Sequence, residues 1–476
     1  MLNKDFHPVL EQEVFQTLAR CADNLSLETY LVGGFVRDHS LGRGEAKDID
    51  IVAIGSGIEL AKAVQKELPG AQAVQIFKSY GTAMVNWRDI SLEFVGARKE
   101  SYSRDSRNPK VSEGTLEDDQ NRRDFTINAL AVSLNAKDKG TLIDPFNGLE
   151  DLQNGIIKTP LEPGLTYSDD PLRMLRAIRF AAQLNFKIEA QSLKAIQENA
   201  HRISIISNER IVEEIHKIML TPRPSHGFLM LEQEGLLERI LPELIQLKGI
   251  EEIEGQRHKD NFYHTLEVVD NICLHTENLW LRWAALLHDI GKAPTKKFHP
   301  KIGWTFHGHE FVGSKMVYKL FKRLKMPLNE KMKYVQKLVM MSSRPIIISE
   351  DIVTDAAVRR LVFDAGEILE DLITLCEADI TTKNPARFKR YHNNFKIVRE
   401  KIKEVEERDR IRNFQPPVTG EMIMNHFNLR PCREIGLIKE AIKEAILEGE
   451  IPNEYEAAFA MMIKKGSELG LEAHGE

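Results

Sequence analysis

Residues 48–54 open with an Asp-Ile-Asp-Ile alternation, and that short run constrains the fold more than any other feature of the chain. A period of two makes a strand, with Asp48 and Asp50 on one face and Ile49 and Ile51 on the buried one. Two carboxylates held this close repel unless a cation lies between them. Oxygen ligands of this kind suit Mg²⁺, which takes one or two carboxylates together with phosphate oxygens. Alone, the pair could equally face water, so its neighbourhood decides. Tyr30-Leu31-Val32 predicts a short strand, Gly33-Gly34 breaks it, and helical spacing carrying Arg37 follows. Backbone N–H groups and a cation at such a turn are suited to phosphate. Glu93 lies within a further strand pattern, Ser-Leu-Glu-Phe-Val, and is a third candidate carboxylate.

At 476 residues the chain is too long for one ordinary domain. The first 150 residues mix a helix pattern over 9–22 with strand patterns at 73–77, 82–87, 90–96 and 129–134. Residues 98–122 are polar and predict a long loop. From about 150 the pattern turns helical, punctuated by Pro160, Pro163, Gly164, Pro222 and Pro224. Residues 253–261 suggest a linker, the stretch from 262 to about 385 is rich in histidine, and a helical tail follows Pro416-Pro417.

The order Leu-Val-Gly-Gly-Phe-Val-Arg, then Lys-Asp-Ile-Asp-Ile-Val, resembles nucleotidyltransferases of the DNA polymerase β type. More narrowly it is similar to the bacterial tRNA nucleotidyltransferases (CCA-adding enzymes) and their poly(A) polymerase relatives. The resemblance implies an α+β head with a mixed sheet, followed by a mostly α-helical neck, body, HD domain and tail. It implies that Asp48, Asp50 and Glu93 hold Mg²⁺: one ion activates an RNA 3′-hydroxyl and another steadies the triphosphate. Arg122-Arg123-Asp124, opening the run to Ala131, also matches the family. The two arginines would pair with phosphate and Asp124 would accept from a ribose hydroxyl. The plain alternative is a surface ion pair.

Residues 168–182, Ser-Asp-Asp-Pro-Leu-Arg-Met-Leu-Arg-Ala-Ile-Arg-Phe-Ala-Ala, resemble the segment with which these enzymes select a nucleotide. It brings Asp170, Arg173 and Arg176 into the nucleotide-binding set. Cytosine and adenine each carry an amino donor beside an unprotonated ring nitrogen. A carboxylate with a guanidinium reads both, and uracil and guanine reverse the pattern. Asp170 and Arg173, three apart, would share one helical face. Asp169 could equally pair with Arg173, and the family has Glu where this chain has Asp169. Arg210 would order the base-reading helix or bridge Glu214.

His264, the His288-Asp289 pair and Asp379 form a second constellation, with His307 and His309 between. Leu-Leu-His-Asp-Ile-Gly-Lys resembles the HD-superfamily phosphohydrolases. The resemblance implies a divalent transition metal or Mg²⁺ and water activated against a phosphate ester, such as a 2′,3′-cyclic phosphate or 3′-phosphate RNA end. Lys292 would touch phosphate. The expected domains are a catalytic head over 1–150, a helical neck and body over 151–255, an HD domain over 256–385 and an RNA-binding tail over 386–476.

The net charge of −6 excludes a uniformly basic nucleic-acid coat, so RNA affinity must come from local charge at Arg98, Lys99, Arg104, Arg107, Arg122 and Arg123. The four cysteines, Cys21, Cys273, Cys376 and Cys432, have no short spacing, which disfavours a disulfide framework or a cysteine zinc site. No apolar run approaches the roughly 18 residues of a membrane span. The expectation is a cytoplasmic enzyme acting on tRNA with CTP and ATP. A poly(A) polymerase or partial A-adding or CC-adding enzyme is the nearest alternative, and an HD phosphohydrolase with an RNA-binding head a more distant one.

Overall fold

The computed structural model describes residues 2–43, 47–77, 81–103, 106–350, 354–409 and 415–472, with the backbone alone over 100–111. The chain divides into two units, Met1–Pro242 and Glu243–Glu476. Among the described residues no helix is long and apolar enough to cross a membrane.

The first unit is built on a mixed sheet. Its strands are β1 (Thr29–Val32), β2 (Asp48–Ala53), β3 (Gln75–Phe77), β4 (Thr82–Trp87) and β5 (Ile90–Gly96). A separate ribbon, β6 (Arg98–Ser103) and β7 (Ser106–Glu113), precedes β8 (Ala131–Ser133) and β9 (Leu142–Ile143). The sheet order is β3-β4-β5-β2-β1-β8-β9. Only the β2–β5 pairing is parallel among its neighbours. Ile49, Ile51, Leu92 and Phe94 form one buried face. The amphipathic helices Glu13–Asn24 and Gly57–Glu67 close over it with Val14, Leu18, Leu60 and Val64. The second of these starts on Ser56, whose hydroxyl accepts from the Glu59 amide. The opposite face carries a smaller cluster, Tyr30, Val32, Val52 and Ala131, and beside it the carboxylates at the start of β2.

One expectation is corrected. Residues 98–122 are not a loop: they form the β6–β7 ribbon and a short helix, Leu116–Asn121, capped reciprocally by Thr115 and Asp118. The ribbon belongs to no larger sheet, so its pairing comes from backbone hydrogen bonds, and no apolar period announces it. Arg104, and the side chain of Arg107, lie outside the described residues.

Helices Pro163–Asp169, Leu172–Leu184 and Asn208–Met219 follow the sheet. The first two are separate, and Asp170 sits between them in extended backbone (φ −133°, ψ 97°). Pro171 explains the break, because a residue before proline is pushed out of the helical region. Asp170 and Arg173 therefore do not share a helical face. In the packed interior Arg179 Nε donates to Glu214 at 2.6 Å, and both are nearly sequestered from solvent. Lys217 Nζ holds the other Glu214 oxygen at 3.2 Å. Glu214 is thus not bridged to Arg210.

The second unit is mostly helical. Asp260 caps the helix Asn261–Cys273, and Leu279–Leu287, buried through Leu281, Trp283, Leu286 and Leu287 along with Arg282, runs into His288. The expected linker over 253–261 contains most of a small hairpin, Glu252–Ile253 with Gln256–Arg257. Gly291 is required by close approach: a Cβ there would lie 2.0 Å from the His309 carbonyl oxygen. That contact seats the start of the helix His309–Arg323 against the His288-Asp289 turn.

Replacing Glu214 by Ala leaves Arg179 buried without its counter-ion, and such a break costs about 3–5 kcal/mol. Calorimetric unfolding of the variant is expected to show a lowered transition, and the double variant Arg179→Met, Glu214→Leu to recover most of it.

Candidate active sites

The sheet register assembles the first site. Asp50 lies opposite Glu93 across the parallel β2–β5 pair and opposite Val32 across the antiparallel β1–β2 pair. Gly33 follows Val32 directly, so the glycine turn and two carboxylates meet in one row. Gly33 has φ +73°, and a Cβ on it would lie 2.8 Å from Asp50 Oδ2 and 3.2 Å from Arg123 Nη1. Both backbone handedness and space therefore demand glycine. Burial pushes Asp50 above the usual carboxylate range, Arg123 opposes the rise, and Asp48 adds to it. Glu93 is raised by burial, then by Asp50 and Asp48. Three mutually repelling carboxylates are a donor set that fits a hard divalent cation.

Beside Asp50 opens a cavity of about 310 Å³. Arg98, Arg122, Arg123, Arg173, Arg176 and Arg210 line it, with Asp50, Asp124 and Asp170 as its acidic groups. Six cations against three anions leave it positive by three, in a chain whose net charge is −6. Asp119, fully buried, organises two of the arginines: one carboxylate oxygen takes Arg122 and the other takes Arg123 Nε at 3.0 Å. Burial alone would raise the Asp119 carboxyl, but Arg123 and Arg122 hold it below the usual range. The sequence reading missed Asp119, although its spacing of three and four from the arginine pair was a usable signal.

Arg37 is placed away from the expected phosphate role. It is buried, donates to both Asp38 oxygens at 2.8 and 2.7 Å, and donates through Nη1 to Asn128 Oδ1 at 2.8 Å. Asn128 Nδ2 in turn donates to Asp124 Oδ1 at 3.0 Å, and Arg176 Nη2 sits 2.6 Å from Asp124 Oδ2. Asp124 is thus occupied by protein donors. Burial opposes its ionisation, yet Arg176 and Asn128 pull its carboxyl down to about 2. Gly34 begins the helix that carries Arg37. Asp170 Oδ1 caps the Leu172 amide at 3.2 Å, and Arg173 donates to the Arg122 carbonyl. Asp169 lines a separate cavity with Lys99, where Arg122 and Arg173 form the shared wall.

In the second unit His264 Nε2 lies 2.7 Å from Asp379 Oδ1, and His288 Nε2 lies 3.6 Å from the same oxygen. Asp289 Oδ2 is 3.4 Å from His288 Nε2 and 3.8 Å from His264 Nε2. All four predicted residues therefore converge. His309, named in the sequence only as lying between them, joins at 3.7 Å from Asp289 Oδ1. His288 Nδ1 bonds to the Ala285 carbonyl at 2.7 Å, leaving its buried Nε2 without a hydrogen-bond partner and aimed into the cluster. An imidazole fixed in this way is what a metal ligand needs. His264, His288 and Asp379 have donor atoms all within 4.8 Å of one another. His264 Nδ1, on the far side of the ring from Asp379, accepts from Lys259 Nζ at 2.6 Å and lies 3.0 Å from Thr381 Oγ1. Burial works against a charged His288, but Asp289 and Asp379 raise it strongly. Lys292 Nζ is bound to Asp289 Oδ2 at 2.6 Å.

The polymerase-type head and the HD cluster each have counterparts among known proteins. Residues 29–158 match the poly A polymerase head domain, 185–247 a probable RNA- and SrmB-binding site of polymerase A, and 261–384 the HD domain. An A-adding tRNA nucleotidyltransferase of Deinococcus radiodurans is 32% identical over 351 residues, covering 72% of this chain and 78% of that protein. A multifunctional CCA protein of Nitrosospira multiformis is 35% identical over 312 residues, 63% of this chain and 70% of its own. A solved CCA-adding enzyme superposes with a TM-score of 0.65 at 22% identity over 97% of both chains, a likeness of fold. The head is that of a nucleotidyltransferase. The chain belongs to the tRNA nucleotidyltransferase family.

Two outcomes follow from this geometry. Gly33→Ala adds strain of about 1 kcal/mol from its handedness and intrudes on Asp50. It is expected to lower nucleotide incorporation by at least roughly a hundredfold, each 1.36 kcal/mol of barrier being tenfold, with the circular dichroism spectrum unchanged. Asp124 has its carboxyl depressed in the folded state, so its ionisation stabilises the fold above the unfolded carboxyl pKa of about 3.9. That contribution fades as pH falls through about 2. Wild type should therefore exceed Asp124→Asn by roughly 2 kcal/mol at neutral pH, a gap that narrows below pH 4 in denaturant melts.

Proposed function

We propose that the chain completes the 3′-CCA end of tRNA from CTP and ATP without a template, and that its second unit trims phosphate-blocked RNA ends. The observation that carries the first part is the Gly33–Asp50–Glu93 row beside a six-arginine cavity. The reading divides the chain into a head (1–150), a base-selecting neck and body (151–255), an HD domain (256–385) and an RNA-binding tail (386–476).

Asp48, Asp50 and Glu93 would hold Mg²⁺, which supplies Lewis-acid activation of the 3′-hydroxyl and charge neutralisation at the triphosphate when bound. The protein does the rest. Arg122 and Arg123, braced by Asp119, present donors to phosphate oxygens, and Arg98 and Arg210 add positive charge around them. Gly33 and Gly34 let the backbone approach the same oxygens. Asp170 accepts from the exocyclic amine of cytosine or adenine, and Arg173 donates to the ring nitrogen. A guanidinium has five N–H donors, so its bond to the Arg122 carbonyl leaves enough for the base. Asp124, Asn128 and Arg37 position Arg176 and the base-reading helix rather than touching nucleotide. In the HD domain His264, His288, Asp289 and Asp379 would hold a divalent metal ion, with His309 a further candidate, and Lys292 fixes the Asp289 carboxylate.

A second reading within the family is addition of the terminal adenosine alone, favoured by the A-adding activity named for the Deinococcus radiodurans relative. Labelled CTP and ATP offered to tRNA lacking its last three nucleotides separate the two. Two cytidines and one adenosine followed by arrest are expected. Adenosine only on tRNA already ending in CC establishes the partial enzyme, and long tails on any RNA establish poly(A) synthesis. Asp48→Ala with Asp50→Ala should abolish incorporation and spare phosphate release, and His288→Ala with Asp289→Ala the reverse. Loss of both activities from either pair would sink the two-site reading.

A further inference from the structure

The second unit has a cavity of about 380 Å³ that shares one wall with the HD cluster. Asp379 belongs to both. The cavity lies in the range of about 300–1,000 Å³ typical of small-molecule sites. Its walls are of two kinds. Tyr391, Phe395, Ile346 and Ile380 offer an aromatic and aliphatic surface, while Lys259, Thr381 and Thr382 offer a cation and hydroxyls. Phe395 is fully buried and forms the floor beneath the half-buried Tyr391. The polar side is the side of the cluster: Lys259 Nζ lies 2.6 Å from both His264 Nδ1 and Thr381 Oγ1. A ligand with a flat apolar part and an anionic ester would place the ring at Tyr391 and the ester at Lys259, against Asp379.

The approach to this cavity is positively charged. Residues 383–399 contain six Lys or Arg and no Asp or Glu, although the whole chain is acidic. Arg387, Lys389 and Arg390 are exposed on the first turns of the helix Pro385–Asp409, which also carries Tyr391 and Phe395. Phe388 is 45% exposed and packs its ring 4.2 Å from His392. Cations interleaved with exposed aromatic rings suit a single-stranded polyanion whose bases stack. A free sugar phosphate needs no such ring, and a lipid surface would not need a polar recess.

We propose that this cavity binds the terminal nucleoside of an RNA carrying a 2′- or 3′-phosphate, guided along the basic start of the helix Pro385–Asp409. Tyr391 stacks on the base, and Lys259 with Thr381 receives the phosphate next to the HD cluster. The proposal rests on the phosphohydrolase reading of that cluster and assigns the residues that receive the RNA end.

The test is equilibrium binding of the full chain in EDTA. The probes are a six-nucleotide RNA ending in a 3′-phosphate, the same RNA ending in a 3′-hydroxyl, and adenosine 3′-monophosphate. The phosphorylated RNA is expected to bind tightest. Tyr391→Ala should weaken it roughly tenfold, the effect of one stacked base, and Tyr391→Phe should restore it, with melting curves confirming a folded protein. Lys259→Met should erase the preference for phosphate. Arg387→Ala with Arg390→Ala should weaken both RNAs, spare the mononucleotide and reduce the salt slope by about 1.4. Equal binding of hydroxyl and phosphate ends, or indifference to Tyr391→Ala, overturns the proposal. A mononucleotide that binds as tightly as the RNA overturns the RNA part and points to free nucleotides. Phosphate release assayed separately with Mn²⁺ keeps the two readings apart. Binding without release overturns the hydrolase and leaves the subsite. Release with KM unchanged by Tyr391→Ala leaves the hydrolase and overturns the subsite.

Discussion

Asn128 holds the first unit's site together. Its amide oxygen accepts from Arg37 and its amide nitrogen donates to Asp124, so one side chain joins the helix after the glycine turn to the Arg-Arg-Asp segment. Asp124 then fixes Arg176 on the helix Leu172–Leu184. The chain of contacts runs through buried groups, where each unmet bond costs about 1–3 kcal/mol, so its members hold one another in a single arrangement. The consequence for chemistry is positional. Asp50, Arg123 and Arg173 surround one cavity because the elements that carry them are tied behind it.

Charge is handled differently in the two units. In the first, positive and negative groups are separated: the carboxylates of Asp48, Asp50 and Glu93 crowd together on the sheet, and arginines gather in the neighbouring cavity. Each cluster has the chemistry for a ligand of opposite sign: carboxylate oxygens suit a hard divalent cation and guanidinium groups suit phosphate. In the second, imidazoles and carboxylates are interleaved, which suits a borderline transition metal more than a hard cation held by oxygen alone. Lys259 and Lys292 sit at its edge, each already bonded to a member of the cluster.

The strands at 82–87 and 90–96 were legible to the residue, because their alternation matches a half-buried sheet. The carboxylate row was legible as well, since Asp48 and Asp50 advertise a shared face by spacing alone. That His264, His288, Asp289 and Asp379 belong together was legible through their motif. Three things were not. The β6–β7 ribbon has no apolar period to betray it. Asp170 was expected on a helical face shared with Arg173, but Pro171 places it in the break between two helices. Arg37 was expected at phosphate, and local spacing cannot reveal that Asp38 and Asn128 take three of its five N–H donors.

The sequence by itself determined which residue types could do chemistry and in what order the elements came. Periodicity and spacing are local, and they act over a few residues. Only the tertiary structure decided which of those groups would meet. The register that sets Glu93 beside Asp50, the carbonyl of His309 that leaves room for nothing larger than Gly291, and the sharing of Asp379 between a metal-ligand cluster and a cavity are all long-range contacts. Such contacts arise when the whole core packs, and no window of sequence contains them.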